Sequence, residues 1–173
     1  HSSWLAESEA DMYDYSPDYA DMIAEKGIFV DPTLALGRLN QLRGRTRPRR
    51  AGAAMRDPVR RFEILRDMWD RGVKFVTGMD SGMTNAHFND FAYIPEVMVD
   101  ELHITPMEAI VSATQVSADC LGLLDEIGTL EEGKAADVLI INGNPAEDIK
   151  ALHSVNTIVK QGELIKQKNE LLI

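Results

Sequence analysis

Cysteine is nearly absent from this sequence. Its 173 residues include a single one, Cys120, so the chain cannot form an internal disulfide. Cys120 lies among apolar residues of a predicted helix, where we expect a small buried side chain rather than a nucleophile. No apolar run reaches the length of a transmembrane helix, and no charged-then-apolar segment of the signal-peptide type stands at the N-terminus. These absences lead us to expect a cytoplasmic protein without a membrane partner.

Positive charge is scarce and unevenly distributed. Acidic residues outnumber basic ones 28 to 18, and the 45% of hydrophobic residues suits a domain with a substantial core. A basic cluster stands out, formed by Arg38, Arg43, Arg45, Arg47, Arg49 and Arg50. No aromatic residue is interleaved with these arginines, and the acidic remainder would repel a phosphate backbone. We therefore predict a solvated, mobile loop. The alternatives are contact with an acidic substrate group and polyanion binding.

The stretch 128–137, which reads GTLEEGKAAD, comes close to a nucleotide-binding P-loop. It has the glycines and the lysine of G-x-x-x-x-G-K-[ST], but Ala135 stands where the motif needs a hydroxyl for magnesium. Glu131 and Glu132 would repel a phosphate. An apolar β-branched run follows, where a P-loop leads into a helix. The sequence therefore predicts a structural turn followed by a buried strand from Asp137 to Asn142.

Helix signals alternate with two short apolar strands before this turn. Pro17 predicts the start of a helix that Gly27 ends, and Pro58 predicts the start of a second helix. The strands are predicted at Ile28–Val30 and Val73–Thr77, and the second leads into Gly-Met-Asp-Ser-Gly. This alternation of strand, loop, helix and strand predicts parallel β/α units and an α/β fold.

A strongly marked helix follows. Thr105 is its predicted N-cap, Pro106 occupies the first helical position, Glu108 closes a capping box, and Leu121-Gly122 ends the helix. The last part of the chain predicts short strands joined by turns: Asp137–Asn142, Thr157–Lys160 and Glu163–Ile165, with a hairpin turn at Gln161–Gly162.

The order of these motifs resembles the C-terminal signature of the amidohydrolase superfamily. The capped helix, Leu-Gly, the turn Ile-Gly-Thr-Leu-Glu-Glu-Gly-Lys-Ala-Ala-Asp, the strand and Asn-Gly-Asn-Pro follow one another as they do there. The resemblance extends over residues 23–166 and is densest over 73–149. The nearest branch is similar to imidazolonepropionases and Xaa-Pro dipeptidases. These motifs are specific for the superfamily and do not identify a substrate.

The resemblance implies a (β/α)8 metal-dependent hydrolase barrel with a small β-sandwich. The two predicted strands would be barrel strands seven and eight. Residues 1–125 would then form the C-terminal part of the barrel, and residues 126–173 would supply strands of the sandwich. A complete barrel needs about 250 residues, so we expect only its C-terminal portion. The family's first-strand His-x-His pair, fourth-strand ligand and fifth-strand histidine have no counterpart here.

Asp80 is the strongest candidate for a catalytic residue and a metal ligand. It follows the second strand, and polar residues at the carboxyl ends of barrel strands face the active site. A carboxylate there can bind a metal and take a proton from the attacking water. The resemblance implies the same role, because the family places an aspartate in a similar Gly-Thr-Asp-Ala/Ser-Gly motif. The alternative is a turn or helix-cap aspartate. The neighbouring Ser81 lacks the G-x-S-x-G context of a serine hydrolase.

Two histidines are further candidates. His1 precedes Ser-Ser-Trp-Leu-Ala-Glu, which resembles the sequence after the family's strand-six histidine, and imidazole is a common zinc ligand. The alternative is that His1 is an added residue. His87 lies in the loop after Asp80, where related enzymes often carry a histidine near the substrate; the alternative is an exposed loop histidine. We predict no site role for His103, at a helix end, or for His153, in a turn.

Together these features predict a metal-dependent hydrolase that cleaves amide, peptide or cyclic amide C–N bonds with a metal-activated water. The resemblance implies zinc, as one or two divalent metals in the complete enzyme, and a small-molecule or dipeptide substrate. The alternative is a catalytically incomplete amidohydrolase fragment with a structural or oligomerising role. Two barrel strands alone would leave sheet edges and apolar faces uncovered. We therefore expect a homo-oligomer or association with the missing barrel portion, and no nucleic-acid partner.

Overall fold

A computed structural model describes residues 15–44, 58–82, 85–168 and 170–172. His1 and the arginines 45, 47, 49 and 50 lie outside the described residues. The chain divides into two compact units, with the boundary between His103 and Ile104. The predicted boundary between residues 125 and 126 rests on the family resemblance and stays a prediction. No helix within the described ranges is both long enough and apolar enough to cross a membrane.

The described residues of the first unit form four α-helices and two strands. Their bounds are α1 Pro17–Glu25, β1 Phe29–Val30, α2 Ala35–Leu42, α3 Pro58–Asp70, β2 Lys74–Phe75 and α4 Tyr93–Leu102. A 3-10 turn, Phe88–Asp90, precedes α4. Pro17 begins α1 and Pro58 begins α3, as predicted. Gly27, which follows α1 with a φ of 62°, ends it in the left-handed conformation that glycine accommodates.

The strands β1 and β2 pair in parallel, which confirms the predicted β/α arrangement. Phe29 lies opposite Lys74, and Val30 lies opposite Phe75. The Phe75 side chain is fully buried and contacts the ring of Trp69 on α3 edge-to-face, with 5.8 Å between the ring centroids. Because the strands are parallel, the residues that follow them lie at the same edge of the pair.

The core of the first unit is built from the apolar faces of its helices. Leu39 of α2, Leu65 and Met68 of α3, and Met98 and Leu102 of α4 are all buried, with at most 1% of their surface exposed. Leu65 and Met68 are three residues apart, the spacing that places both on one face of a helix. The packing places α4 against both α2 and α3, and α1 against α3.

For Arg38 and Arg43, the segment after β1 corrects our prediction of a solvated, mobile basic loop; the other four arginines of the cluster lie outside the described residues. Arg38 lies on the helix α2, and Arg43 caps its C-terminus. Both Ala35 and Leu39 of this helix are buried. The basic residues suggested a loop, but the segment has an amphipathic helical pattern, in which apolar residues four positions apart share the buried face.

A capped helical run opens the second unit. It consists of α5 Pro106–Val111, a π-helical turn Ser112–Val116 and α6 Ser117–Cys120. The Thr105 hydroxyl accepts the Glu108 N–H at 3.3 Å, and the Glu108 carboxylate accepts the Thr105 N–H at 2.8 Å. This capping box, with Pro106 at the first helical position, confirms the prediction. Within the π turn, the Ser117 hydroxyl donates to the Ser112 carbonyl at 2.8 Å.

An antiparallel sheet forms the rest of the second unit. In the described residues it has the strand order β3-β4-β5-β6, with bounds β3 Val138–Ile141, β4 Val155–Lys160, β5 Glu163–Gln167 and β6 Glu170–Leu171. The predicted hairpin turn between β4 and β5 is confirmed. Gln161 and Gly162 have φ angles of 51° and 84°, the sign that a two-residue type I′ turn requires at both positions.

Two burial predictions are wrong. The strand β3 is not a buried strand, since Leu139 is 57% exposed and Ile140 is 52% exposed. Among the described strands β3 pairs with β4 alone, as the edge strand of the sheet. Cys120 is exposed as well, because it is the last residue of α6. The buried side chain at this helix end belongs to Ala118.

The turn that resembles a P-loop closes around its own lysine. Lys134 Nζ donates to the Leu124 carbonyl and to the Thr129 hydroxyl, both at 2.6 Å, and its side chain is only 12% exposed. The Glu131 carboxylate lies 3.6 Å from the same amine. These contacts use the lysine to hold the turn together, which agrees with the predicted structural role.

Candidate active site

The carboxyl edge of the parallel strands carries two aspartates. Asp31 follows β1 directly, and Asp80 follows β2 after the segment 76–79. The Val76 N–H donates to the Val30 carbonyl at 3.0 Å, which continues the pairing of the two chains beyond β2. In parallel β/α units this edge is where side chains from neighbouring strands come together to form sites.

Asp80 lies in an unusual backbone conformation. Its φ is 57°, in the left-handed region that aspartate enters more readily than most side chains do. The loop after it is closed by a hydrogen bond from the Gly82 N–H to the Ala86 carbonyl at 2.9 Å. The Asp80 side chain is exposed and therefore accessible to a ligand. Its catalytic and metal-binding roles stay predictions.

Asp31 holds the segment that leads to Asp80. Its Oδ1 accepts hydrogen bonds from the Thr33 N–H at 2.9 Å and from the Gly78 N–H at 3.2 Å. A methyl group added at Gly78 would collide with the Asp31 carboxylate. Only glycine leaves room for this contact. Asp31 was not predicted from the sequence, because its partner lies 47 positions away.

His87 is exposed and stands immediately before the short 3-10 turn. Its backbone N–H donates to Asp90 Oδ2 at 2.7 Å. The Asp90 N–H donates to the His87 carbonyl at 3.0 Å, so the two residues close a reciprocal turn. The histidine is therefore held at its backbone while its ring is open to solvent. Its predicted contact with substrate is untested.

Arg43 joins the two loops that follow β1 and β2. Its Nη2 lies 2.8 Å and 2.6 Å from the two carboxylate oxygens of Asp90, and its Nη1 donates to the Asn85 carbonyl. A second link runs from the Asn85 side-chain amide, whose Nδ2 donates to the side-chain Oδ1 of Asn40. Burial would raise the pKa of Asp90, but its hydrogen bonds with Arg43 and the His87 N–H hold that pKa below its usual range.

Arg38 links α2 to α4. Its guanidinium lies 2.7 Å from a carboxylate oxygen of Glu96, 3.2 Å from Asp100 and 3.1 Å from Glu101. Burial acts to lower the pKa of Arg38, and its hydrogen bonds to Asp100 and Glu101 outweigh burial and raise it. The Glu96 side chain is only 8% exposed. Arg38 and Arg43 thus both form ion pairs with carboxylates of this chain.

The described residues do not assemble a complete metal site. Within the described ranges, no group of three or more histidine, cysteine, aspartate or glutamate side chains is placed to hold a metal ion. Catalytic zinc sites generally have three protein ligands. Asp80 can supply one oxygen ligand, and His1, the other predicted ligand, lies outside the described residues.

Comparison with known protein families gives a match over most of the chain. A sequence profile of the amidohydrolase family matches residues 7–165. This range includes both parallel strands, the capped helix, β3, β4 and the first residues of β5.

Individual relatives match over shorter ranges. A 5-methylthioadenosine/S-adenosylhomocysteine deaminase from Caldanaerobacter subterraneus subsp. tengcongensis is 31% identical over 129 residues, which cover 64% of this chain and 30% of the relative. An imidazolonepropionase from Thermoplasma volcanium is 32% identical over 91 residues, covering 53% of this chain and 22% of the relative.

Solved structures show the same kinship at the level of the fold. A Xaa-Pro dipeptidase with bound methionine in its active site superimposes with a TM-score of 0.72 at 30% identity, covering 86% of this chain and 37% of that one. A second solved structure, of an amidohydrolase, superimposes with a TM-score of 0.68 at 28% identity. The match covers 90% of this chain and 38% of the amidohydrolase chain. This chain therefore spans less than two fifths of the length of each of these proteins.

Proposed function

Because the chain belongs to the amidohydrolase family, we propose that it is the C-terminal portion of an enzyme that hydrolyses C–N bonds. The matched proteins include a deaminase and a Xaa-Pro dipeptidase, and both names describe the breaking of such a bond. In this proposal β1 and β2 are barrel strands seven and eight, and β3 to β6 are the chain's share of the sandwich.

We propose Asp80 as the catalytic acid and base. The observation that carries this role is its position, since it lies exposed at the carboxyl edge of the parallel strands in a left-handed turn. The carboxylate would take a proton from the water that attacks the carbonyl carbon, and it would then deliver that proton to the leaving nitrogen. Asp31 supports this role by holding the backbone of Gly78, two residues earlier.

A divalent metal belongs to the proposal for the complete enzyme. Zinc, in one or two sites, is the metal that we expect on family grounds, and when bound it would activate the water. Asp80 would be the ligand contributed by the described residues. They do not suffice for a metal site by themselves, so the remaining ligands must come from elsewhere, with His1 as one proposed source.

The proposed substrate is a small amide, a cyclic amide or a dipeptide. His87 is our candidate for a substrate contact. It is exposed, and it lies in the same loop as Asp80. Choice among these substrates would depend on loops of the barrel that this chain does not contain. A cytoplasmic location is part of this proposal.

The test of the proposed function replaces Asp80 by asparagine in the complete enzyme. Asn tolerates the left-handed backbone almost as well as Asp does, so the fold should persist. We expect kcat to fall about 10³-fold, the usual share of a general acid–base group. Asp125→Asn, at an exposed position in the other unit, is the control and should keep full activity. Turnover retained in Asp80→Asn would remove the assignment.

A specific observation favours a second candidate function. Leu139 and Ile140 on β3 are exposed, as are Leu171 and Leu172 near the end of the described chain. Such apolar surface suits a catalytically incomplete chain that acts by pairing with the missing barrel portion or with a second copy. Light scattering combined with metal analysis discriminates the two. A metal-free assembly would argue for the pairing role, and stoichiometric zinc in an assembly would argue for the enzyme. A metal-free monomer would leave only an inactive fragment without a pairing role.

A further inference from the structure

The side chain of His87 lies beside a guanidinium. Arg43 Nη2 is 3.5 Å from His87 Nδ1, and the same Arg43 nitrogen bonds both oxygens of Asp90. Nη2 carries two hydrogens: one is shared between the two Asp90 oxygens, and the other faces His87 Nδ1. A guanidinium has only donors, so this ring nitrogen has to be an acceptor. A neutral imidazole carries a single proton, and this proton is therefore placed on Nε2.

We propose that Arg43 is a positioning residue that sets the hydrogen-bond polarity of His87. Arg43 makes Nδ1 an acceptor and Nε2 a donor. His87 then recognises an oxygen of the substrate, either a carbonyl or a carboxylate, and does not remove a proton from it. This inference rests on the proposed contact of His87 with substrate and adds the chemistry of that contact.

Asp90 explains why the arginine is needed. Its side chain is only 7% exposed and lies close to His87, whose backbone N–H it accepts at 2.7 Å. Arg43 occupies this carboxylate with two short contacts. Without Arg43, the nearly buried carboxylate would need another donor. The Nδ1–H of His87 is the candidate donor, because Arg43 Nη2 contacts both this ring nitrogen and the carboxylate, and a carboxylate readily fixes an adjacent histidine in that tautomer.

Loss of Arg43 would exchange the donor and acceptor roles of the two ring nitrogens of His87. An Asp90–His87 pair would place the proton on Nδ1 and leave Nε2 as an acceptor, the arrangement of a general base. Arg43 therefore decides whether His87 acts as a hydrogen-bond donor to a substrate oxygen or as a general base. It is well placed to do so, because its bond to the Asn85 carbonyl and its position at the end of α2 fix the guanidinium against this loop.

The experiment reads the tautomer of His87 directly. Long-range 1H–15N NMR spectra of the histidine side chains are recorded without substrate, at a pH where imidazole is neutral. His87→Gln identifies the His87 signals by their loss, and His103 and His153 serve as internal references. The variants are Arg43→Met, Asp90→Asn and Arg38→Met. The last of these is the matched control, because Arg38 also lies on α2 and pairs with carboxylates of α4.

The wild-type protein should show the Nε2–H tautomer at His87. Arg43→Met should convert most of the population to Nδ1–H, whereas Arg38→Met and Asp90→Asn should keep Nε2–H. A wild-type spectrum dominated by Nδ1–H overturns the proposal. So does an unchanged tautomer in folded Arg43→Met. If Arg43→Met does not fold, wild type and Asp90→Asn decide: Nε2–H in both supports the proposal, and Nδ1–H in either overturns it. The NMR experiment does not measure turnover, so its outcome can be distinguished from the outcome of the Asp80→Asn activity test.

Discussion

The carboxylate of Asp31 accepts the backbone N–H of Gly78 at 3.2 Å and occupies the space where a side chain at position 78 would begin. This contact connects the ends of two parallel strands at the edge that carries Asp80. It depends on a carboxylate on one strand and on the lack of a side chain on the other.

Replacing Gly78 by alanine should therefore destabilise the first unit. The added methyl group has to displace the Asp31 carboxylate and its hydrogen bonds, and forced overpacking of this kind costs about 1–3 kcal/mol. Urea unfolding measures the loss. Gly37→Ala is the control, because Gly37 lies on α2 with nothing within 4 Å of an added Cβ. That change should stabilise the helix by about 0.5–1 kcal/mol. Equal changes in the free energy of unfolding for Gly78→Ala and Gly37→Ala would show that the added methyl group does not collide with Asp31.

Removal of the Arg38 side chain should destabilise the packing of α2 on α4. Arg38→Met leaves Glu96, which is only 8% exposed, beside Asp100 and Glu101 without the guanidinium. Breaking a fully buried pair costs about 3–5 kcal/mol, and we expect about 2 kcal/mol because Arg38 keeps a fifth of its side chain exposed. Denaturant unfolding gives the value. Lys160→Met, which breaks a surface pair with Asp137, should have a much smaller effect.

Stability should fall at alkaline pH because of Tyr15. Burial and the hydrogen bond to Asp67 raise the pKa of Tyr15 to about 12, above the value of about 10 in an unfolded chain. A raised pKa stabilises the folded state fully below the unfolded value, and this contribution disappears as pH rises from about 10 to about 12. Unfolding midpoints measured across this range should decline in the wild-type protein and decline less in Tyr15→Phe.

A tyrosine on α1 provides the control for that experiment. Tyr19 is 55% exposed, and Tyr19→Phe should reproduce the wild-type pH dependence. If Tyr15→Phe and Tyr19→Phe gave the same slope as the wild-type protein, the hydrogen bond between Tyr15 and Asp67 would make no contribution to stability.

Thr105 and Glu108 should contribute to stability as a unit. Thr105→Ala removes the hydroxyl that accepts the Glu108 N–H, and loss of such a cap costs about 1 kcal/mol. Glu108→Ala removes the reciprocal bond. The double variant should lose less than the sum of the two single losses, because each partner fixes the other. A strictly additive result in thermal unfolding would show that the two bonds act independently.

Local signals in the sequence predicted much of the fold. Pro17, the Thr105 cap and the Gln161–Gly162 turn each act within a few residues, so their patterns are visible along the chain. The parallel pair was also predictable, because alternation of strands and helices implies it. The helix α2 was not, since the arginines suggested a loop, and its buried face and the contact of Arg38 with α4 are visible only in the structure.

The site was predicted only in part for the same reason. Asp80 was identified from its position after a strand. Asp31 and Arg43 were missed as site residues, because their partners Gly78 and Asp90 each lie 47 positions away and no local pattern joins them. The burial of β3 was overestimated, because apolar composition predicts a buried strand but does not say which chain covers it.

The two-residue turn at Gln161–Gly162 has a consequence for the order of folding. It joins β4 and β5 directly, so this hairpin can form without closing a long loop, on a timescale of about 1–10 μs. The pairing of β1 with β2 must first bring together residues such as Val30 and Phe75, and the entropy of closing so long a loop slows this step. The β4–β5 hairpin should therefore form before the parallel edge that carries Asp80 exists.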